Sequence, residues 1–280
     1  MGVLFMKKKN IVATSVLAAV VAVSGQFVQT APVDGGSFFG MQRAEAGLFS
    51  GVGDVFHKKG QEVADDAKGQ AKDAVNKALG INFDGMNSRR NDMRNHLMLA
   101  TGCFTASEYK IGLATDLSGD SNIQALGAIA NNLLSGGGSM SDVYNATSTP
   151  RPSKELVQAK LAELTSSEDK EKVENAKKQM TWSKTDSAKA IFLCGLAARD
   201  ASFLTKEAAK GLKDAKNLED LKNQINEYKE AADEATQIIG FLKKSIKERN
   251  DARKAYDKAN NIKEPSKKDV EASVASMQAE

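Results

Sequence analysis

Apolar residues recur at three- and four-residue steps along most of the chain, and no segment sustains the strict alternation of a strand. The clearest pattern lies in the last third. Ala188, Ile191, Gly195, Ala198, Ser202, Thr205, Ala209, Leu212 and Lys216 follow one 3-4 alternation. Leu221, Ile225, Tyr228, Ala232, Ala235, Ile239, Leu242 and Ile246 follow a second, which extends toward Tyr256. Asn217, with Asp220 three residues later, marks a helix start between the two. Two heptad seams joined by a short break predict an antiparallel helical hairpin over residues 185–262. If helical from 218 to 260, the second arm is about 64 Å long at 1.5 Å per residue. Arg249 and Arg253 sit in its seam, which predicts that its far end protrudes into water or meets a partner.

The same periodicity predicts helices ahead of the hairpin. Val55, Val63, Ala67, Ala71, Ala74 and Ala78 make an alanine-rich stripe that ends at Gly80, a natural helix stop. Met93, Leu97, Ala100, Phe104, Ile111 and Ala114 predict a helix over residues 88–116. Arg89, Arg90 and Arg94 near its start oppose the helix dipole, so another interaction must favour them. A further helix over 122–134 carries Ile123, Leu126, Ile129, Leu133 and Leu134 and ends at the flexible composition Ser135-Gly136-Gly137-Gly138-Ser139. Thr149-Pro150-Arg151-Pro152 breaks the chain, because neither proline continues a helix. Ser153 then caps a short helix with Leu156, Val157, Leu161 and Leu164. Ser166 starts another, with Asp169 three residues on and Val173, Ala176 and Met180 as its stripe. After Pro265, Ser266 and Asp269 have capping-box spacing ahead of Val270, Val274 and Met277. The fold class is therefore all-α: a helical bundle with an extended, coiled-coil-like antiparallel hairpin in the C-terminal third. The segments are 47–84, an amphipathic helix; 85–184, the bundle; 185–262, the hairpin; and 263–280, a loose helical tail.

Residues 1–46 read as an address. Lys7, Lys8 and Lys9 precede an apolar run from Ile11 to Val23, too short for a bilayer, which takes about 20 residues, and suited to a secretory signal. Met6, directly before the lysines, reads as a possible true start. Met1-Gly2 is no myristoylation site, because Met6 stands where Ser or Thr is needed. Ala44-Glu45-Ala46 is the favoured cleavage sequence, and Val23-Ser24-Gly25 is the other acceptable one. The compact, lysine-led signal has a bacterial style, which places the mature chain in the periplasm or outside the cell. Asn145-Ala146-Thr147 matches a glycosylation pattern that means little in such a source.

Composition narrows the function. With 39 basic against 36 acidic side chains in 280 residues, the net charge of +3 leaves no nucleic-acid footprint. Hydrophobic residues make up 41% and aromatics 6%, so the cores are thin and rich in alanine.

Export makes the two cysteines readable. Cys103 and Cys194 lie on apolar helices beside Gly102 and Gly195, which predicts a close helix approach and a disulfide between them. Closing a loop of about 90 residues stabilises by up to roughly 4.6 kcal/mol. Leu99-Ala100-Thr101-Gly102-Cys103 resembles a lipoprotein box but lies far beyond the signal.

No catalytic, cofactor or metal set emerges. His57 and His96 have no His or Cys partner at helical ligand spacing. Ser167 and Lys170 match a Ser-x-x-Lys nucleophile without its companion motifs, and a helix start explains them better. Asp116, Ser118, Asp120 and Asn122 alternate oxygens, but Gly119 and Gly127 are wrong for a calcium loop, so Asp120 or Ser121 reads as a cap. Gly136, Gly137 and Gly138 lack the following Lys-Ser/Thr of a phosphate loop. Asp65-Asp66 and Glu219-Asp220 read as solvated or capping pairs. An enzyme would need a pocket built from Arg89, Arg90, Arg94, Asp92 or Trp182.

The expected function is an exported, non-enzymatic envelope protein that is structural or binds a partner, with a protein or a second copy engaged through the hairpin. The alternative is action at a membrane surface. Leu48, Phe49, Val52, Val55 and Phe56 make an apolar face edged by Lys58 and Lys59, as in interfacial helices.

Overall fold

The computed structural model describes residues 80–215 and 219–279. The expected signal, the expected amphipathic stretch with Leu48, Phe49, Val52, Val55 and Phe56, and His57 lie outside the described residues. The described chain forms α1 (Phe83–Ala114), α2 (Ser121–Leu134), α3 (Met140–Ser148), α4 (Lys154–Thr165), α5 (Lys170–Asp214), α6 (Glu219–Ala259) and α7 (Lys267–Ala279), with no strand among these residues. The fold is an all-α bundle that contains the two-helix hairpin, formed by α5 and α6.

Three long helices make the frame. Arg89 and His96 of α1 meet Asp200, whereas Ser107 and Lys110 meet Ser183 and Asp186, so α1 and α5 run antiparallel. Asn87 meets Tyr228 and Glu108 meets Arg249, both 141 positions apart, so α1 and α6 run parallel and in step. The hairpin is therefore no free arm; α1 lies against both of its helices.

The seam of α6 is as its periodicity predicts. Ile225, Tyr228, Ala232, Ala235, Ile239, Leu242 and Ile246 are all buried. The seam of α5 is not. Its buried stripe is Ala190, Leu193, Cys194, Ala197, Ala201, Leu204 and Ala208. Ile191, Gly195, Ser202, Thr205 and Ala209, from the predicted stripe, are exposed. Alanine and glycine are so dense here that a 3-4 alternation can be drawn on neighbouring faces, and only Leu193 and Leu204 mark the face that buries most area. The helix also begins earlier than the hairpin's predicted edge. Asp169 accepts the Lys172 N–H at 3.0 Å, and the helix runs unbroken for 45 residues from Lys170.

The smaller helices fill the flanks. Asp120 caps α2 by accepting the Asn122 N–H at 2.7 Å. A Cβ on Gly112 would stand 2.5 Å from Ile123 Cγ2, and one on Gly102 would stand 2.8 Å from Leu134 Cδ2, so α2 folds back on α1 at a distance only glycine allows. The Ser-Gly linker is a short connection, with Gly136 at a φ of 78°, leading to α3, a helix the sequence did not announce. The Ser139 N–H donates to Asp142 Oδ2 at 2.9 Å to start it. Ser153 caps α4 through the Leu156 N–H at 3.1 Å. Val157, Leu161 and Leu164 then join Ile111, Met180, Ala252, Tyr256 and Ile262 in one apolar cluster. The tail helix docks Val270 and Val274.

Candidate functional site

The bundle interior carries charge. Glu108 is 2% exposed, and Arg249 Nε donates to both of its oxygens at 2.9 and 2.8 Å. Arg249 Nη2 also donates to the Pro152 carbonyl at 2.6 Å, which fastens the proline break to α6. Arg151, from the same break, inserts between the rings of Phe104 and Phe241, at 5.0 and 5.3 Å from their centroids. Burial raises the Glu108 carboxyl above its ordinary range, with Arg249 and Arg151 opposing the rise.

Arg253 is 1% exposed. Its Nε donates to Asp257 at 2.9 Å, its Nη1 to Ser183 Oγ at 2.9 Å and its Nη2 to the Met180 carbonyl. Lys184 closes the group onto Asp257 at 3.0 Å and Glu264 at 2.9 Å. The seam arginines therefore do not mark an end that protrudes into water. Each finds a carboxylate and backbone carbonyl inside the bundle, which is how a buried guanidinium offsets its desolvation.

The predicted disulfide is absent. Cys103 and Cys194 are both buried free thiols. Gly102 faces Leu134 of α2, and Gly195 has nothing within 4 Å of its would-be Cβ, so neither glycine draws α1 and α5 together. Burial pushes Cys103 up to about 12 and Cys194 up to about 11, which keeps both as thiols.

The residues proposed for an enzyme pocket do not converge. Arg89 pairs with Asp200 at 3.1 Å and lies 5.6 Å from the Phe203 ring, and Arg90 stacks on Tyr228 at 5.0 Å. These contacts, near the start of α1, are what favour arginine against the dipole. Trp182 is instead near the other end of α1, with Lys110 Nζ 6.0 Å and Lys178 Nζ 4.7 Å from its ring. Ser167 Oγ accepts the Asp169 N–H at 3.3 Å in the turn before α5. Asp116 pairs with Lys172 of α5, and Asp120 caps α2. Among the described residues no group of three or more His, Cys, Asp or Glu is placed to hold a metal ion, and no helix is long and apolar enough to cross a membrane.

Two surface features remain. One is the outer face of α5, where Trp182 is 44% exposed beside a shallow depression lined by Lys170, Glu174, Lys178 and Thr181. The other is a cavity of about 400 Å³ lined by Asp92, Asn95, His96, Met98 and Leu99 of α1, Leu133 of α2, the glycine connection, and Met277 and Gln278 of α7. His96 Nδ1 lies 2.9 Å from the buried Asp200 carboxylate. No local pattern marks that pair, whose members are 104 positions apart.

No family model, curated protein or solved structure matches this chain.

Proposed function

We propose that this chain is an exported, non-enzymatic helical protein of the bacterial cell envelope that works by binding a partner through the outer face of α5. The observation that carries the reading is Trp182, the only tryptophan in the chain, held 44% exposed between two lysines on a long helix. An exposed indole forgoes its own burial. Lys110 and Lys178 lie 6.0 and 4.7 Å from its ring, and an exposed tryptophan presented by a rigid helix is the residue type that most often anchors an interface. Export rests on Lys7 to Lys9 and the apolar run behind them. The non-enzymatic part is supported by the way the buried charges close on one another.

The test compares wild-type and Trp182→Ala proteins, both processed and immobilised, against the native envelope fraction, with light scattering to follow self-association. The expected result is a partner or a second copy retained by the wild type and lost by the variant at unchanged helicity. Equal behaviour of the two proteins overturns the reading.

A further inference from the structure

We propose that α7 is a hinged flap that opens and closes over the cavity between α1 and α2 while the rest of the bundle stays folded. The hinge is held by Lys184 of α5. Its Nζ pairs with Asp257 at 3.0 Å and Glu264 at 2.9 Å, and it donates to the Ile262 carbonyl at 3.4 Å. Asn261, at a φ of 54°, turns the chain off α6, and Ile262 is buried. The chain is therefore fastened to α5 as far as Glu264. Pro265 follows, and α7 begins at Lys267.

Beyond that point the hold is thin. Ser266 and Asp269 bond each other at the start of α7, Ser276 donates to the Ala272 carbonyl, and Lys267 pairs with Glu271 at 3.5 Å. Among the described residues, no side-chain hydrogen bond or ion pair joins α7 to another helix. Val270 and Val274 carry its docking, and Met277 is half-buried. Helix α2, of nearly the same length, buries Ile123, Leu126, Ala130 and Leu133 and closes on Gly102 and Gly112 of α1. The element with the fewest buried contacts opens first, so α7 releases before α2 does.

The place where α7 ends gives the release a consequence. Its 13 residues extend about 20 Å, and Asp200 lies about 24 Å along α5 from Lys184. From its hinge at Lys184 the free end of α7 reaches the level of Asp200. There Met277 and Gln278 stand in the wall of the cavity of about 400 Å³, facing His96, Met98 and Leu133. The other walls belong to α1, α2 and the glycine connection, so α7 is the wall that moves. A lone helix of this length is marginal in water, and its release therefore melts it and frees its amides. The flap does not depend on the Trp182 face and fails separately from it.

The experiment is native-state amide exchange of the full chain at rising urea, followed by NMR. The amides of Val270, Val274 and Met277 are expected to share one opening reaction. Its urea slope should fall well below that of the Leu193 and Ile246 amides, which need global unfolding. Rates that merely climb toward the chain end would show fraying without a flap, and a slope equal to the global one would show that α7 opens only with the bundle. Either result overturns the proposal. Val274→Asp places a carboxylate on the docking face and is expected to release α7. The Leu133 methyls, 2% exposed, should then be relaxed severalfold faster by a neutral gadolinium chelate, with the Ile246 methyls unchanged. Loss of the folded bundle in Val274→Asp, or Leu133 methyls no more accessible than in the wild type, overturns it as well.

Discussion

Arg249 Nε donates to both carboxylate oxygens of Glu108 and so ties α6 to α1 inside the bundle. Breaking such a pair from one side leaves a buried charge alone. Glu108→Ala is expected to cost about 3–5 kcal/mol, whereas Glu108→Leu combined with Arg249→Met is expected to recover much of the loss. Urea unfolding of the single and double variants checks this. A double variant no better than the singles would show that the pair contributes attraction beyond mutual compensation.

The same carboxyl gives the stability a pH dependence of defined sign. Burial raises the folded-state value of Glu108 above its ordinary 4.5, against the opposing charges of Arg249, Arg151 and Arg253. A carboxyl raised on folding binds its proton more tightly in the native state. Its contribution is therefore present below the ordinary value and is lost as pH rises through the folded one. Relative to Glu108→Gln, which does not titrate, the wild type should gain stability as pH falls from neutral toward 4.5. Parallel melts across that range read the difference, and two parallel profiles would refute it.

The thiols make a separate prediction. Cys103 and Cys194 are buried and shifted to about 12 and about 11, so little thiolate exists near neutral pH. Native protein should resist iodoacetamide, and unfolding should release two reactive thiols per chain. The melting temperature should not change on adding a reductant. A reductant-sensitive melt would restore the disulfide expected from export and from the glycines beside each cysteine.

What the sequence conveyed followed the size of the side chains. In α6, Ile225, Tyr228, Ile239, Leu242 and Ile246 are large enough to define one face, and that face is the buried one. In α5 the competing stripes are mostly Ala, Gly and Ser, and periodicity without area does not choose between them. The buried setting of the seam arginines is not legible locally, because much of what holds them is distant: Glu108 is 141 positions from Arg249 and Ser183 is 70 from Arg253, although Asp257 lies only four positions from Arg253. His96 was hidden for the same reason. The caps at Asp120, Ser153 and Ser266 were legible, since their bonds are local. Helix α3 shows no clear apolar period, because its Ser, Asn and Thr residues have turn chemistry and its start depends on a capping contact beside three glycines.

The membrane reading rests on residues 47–60 and is tested there. Liposome flotation of the processed protein with and without this segment should show lipid recovery only with it, if Leu48, Phe49, Val52, Val55 and Phe56 enter the interface. Equal recovery removes membrane action as the alternative function.

Glycines in the long helices divide into two kinds, and substitution by alanine should separate them by sign. Gly195 in α5 and Gly240 in α6 have nothing within 4 Å of an added Cβ. There glycine only weakens the helix, so Gly195→Ala and Gly240→Ala should each stabilise by about 0.5–1 kcal/mol. Gly112 is the opposite case. Its added Cβ would meet Ile123 Cγ2 at 2.5 Å, and a β-branched side chain has few rotamers in which to retreat. Gly112→Ala should therefore push α2 away from α1 and cost about 1–3 kcal/mol despite the better helix propensity. Pairing it with Ile123→Ala should remove the clash while forfeiting the buried isoleucine, so the double variant stays below wild type. Denaturant midpoints for the four variants and the wild type decide the matter. A stabilising Gly112→Ala would mean that α2 does not approach α1 as closely as the glycine contact requires.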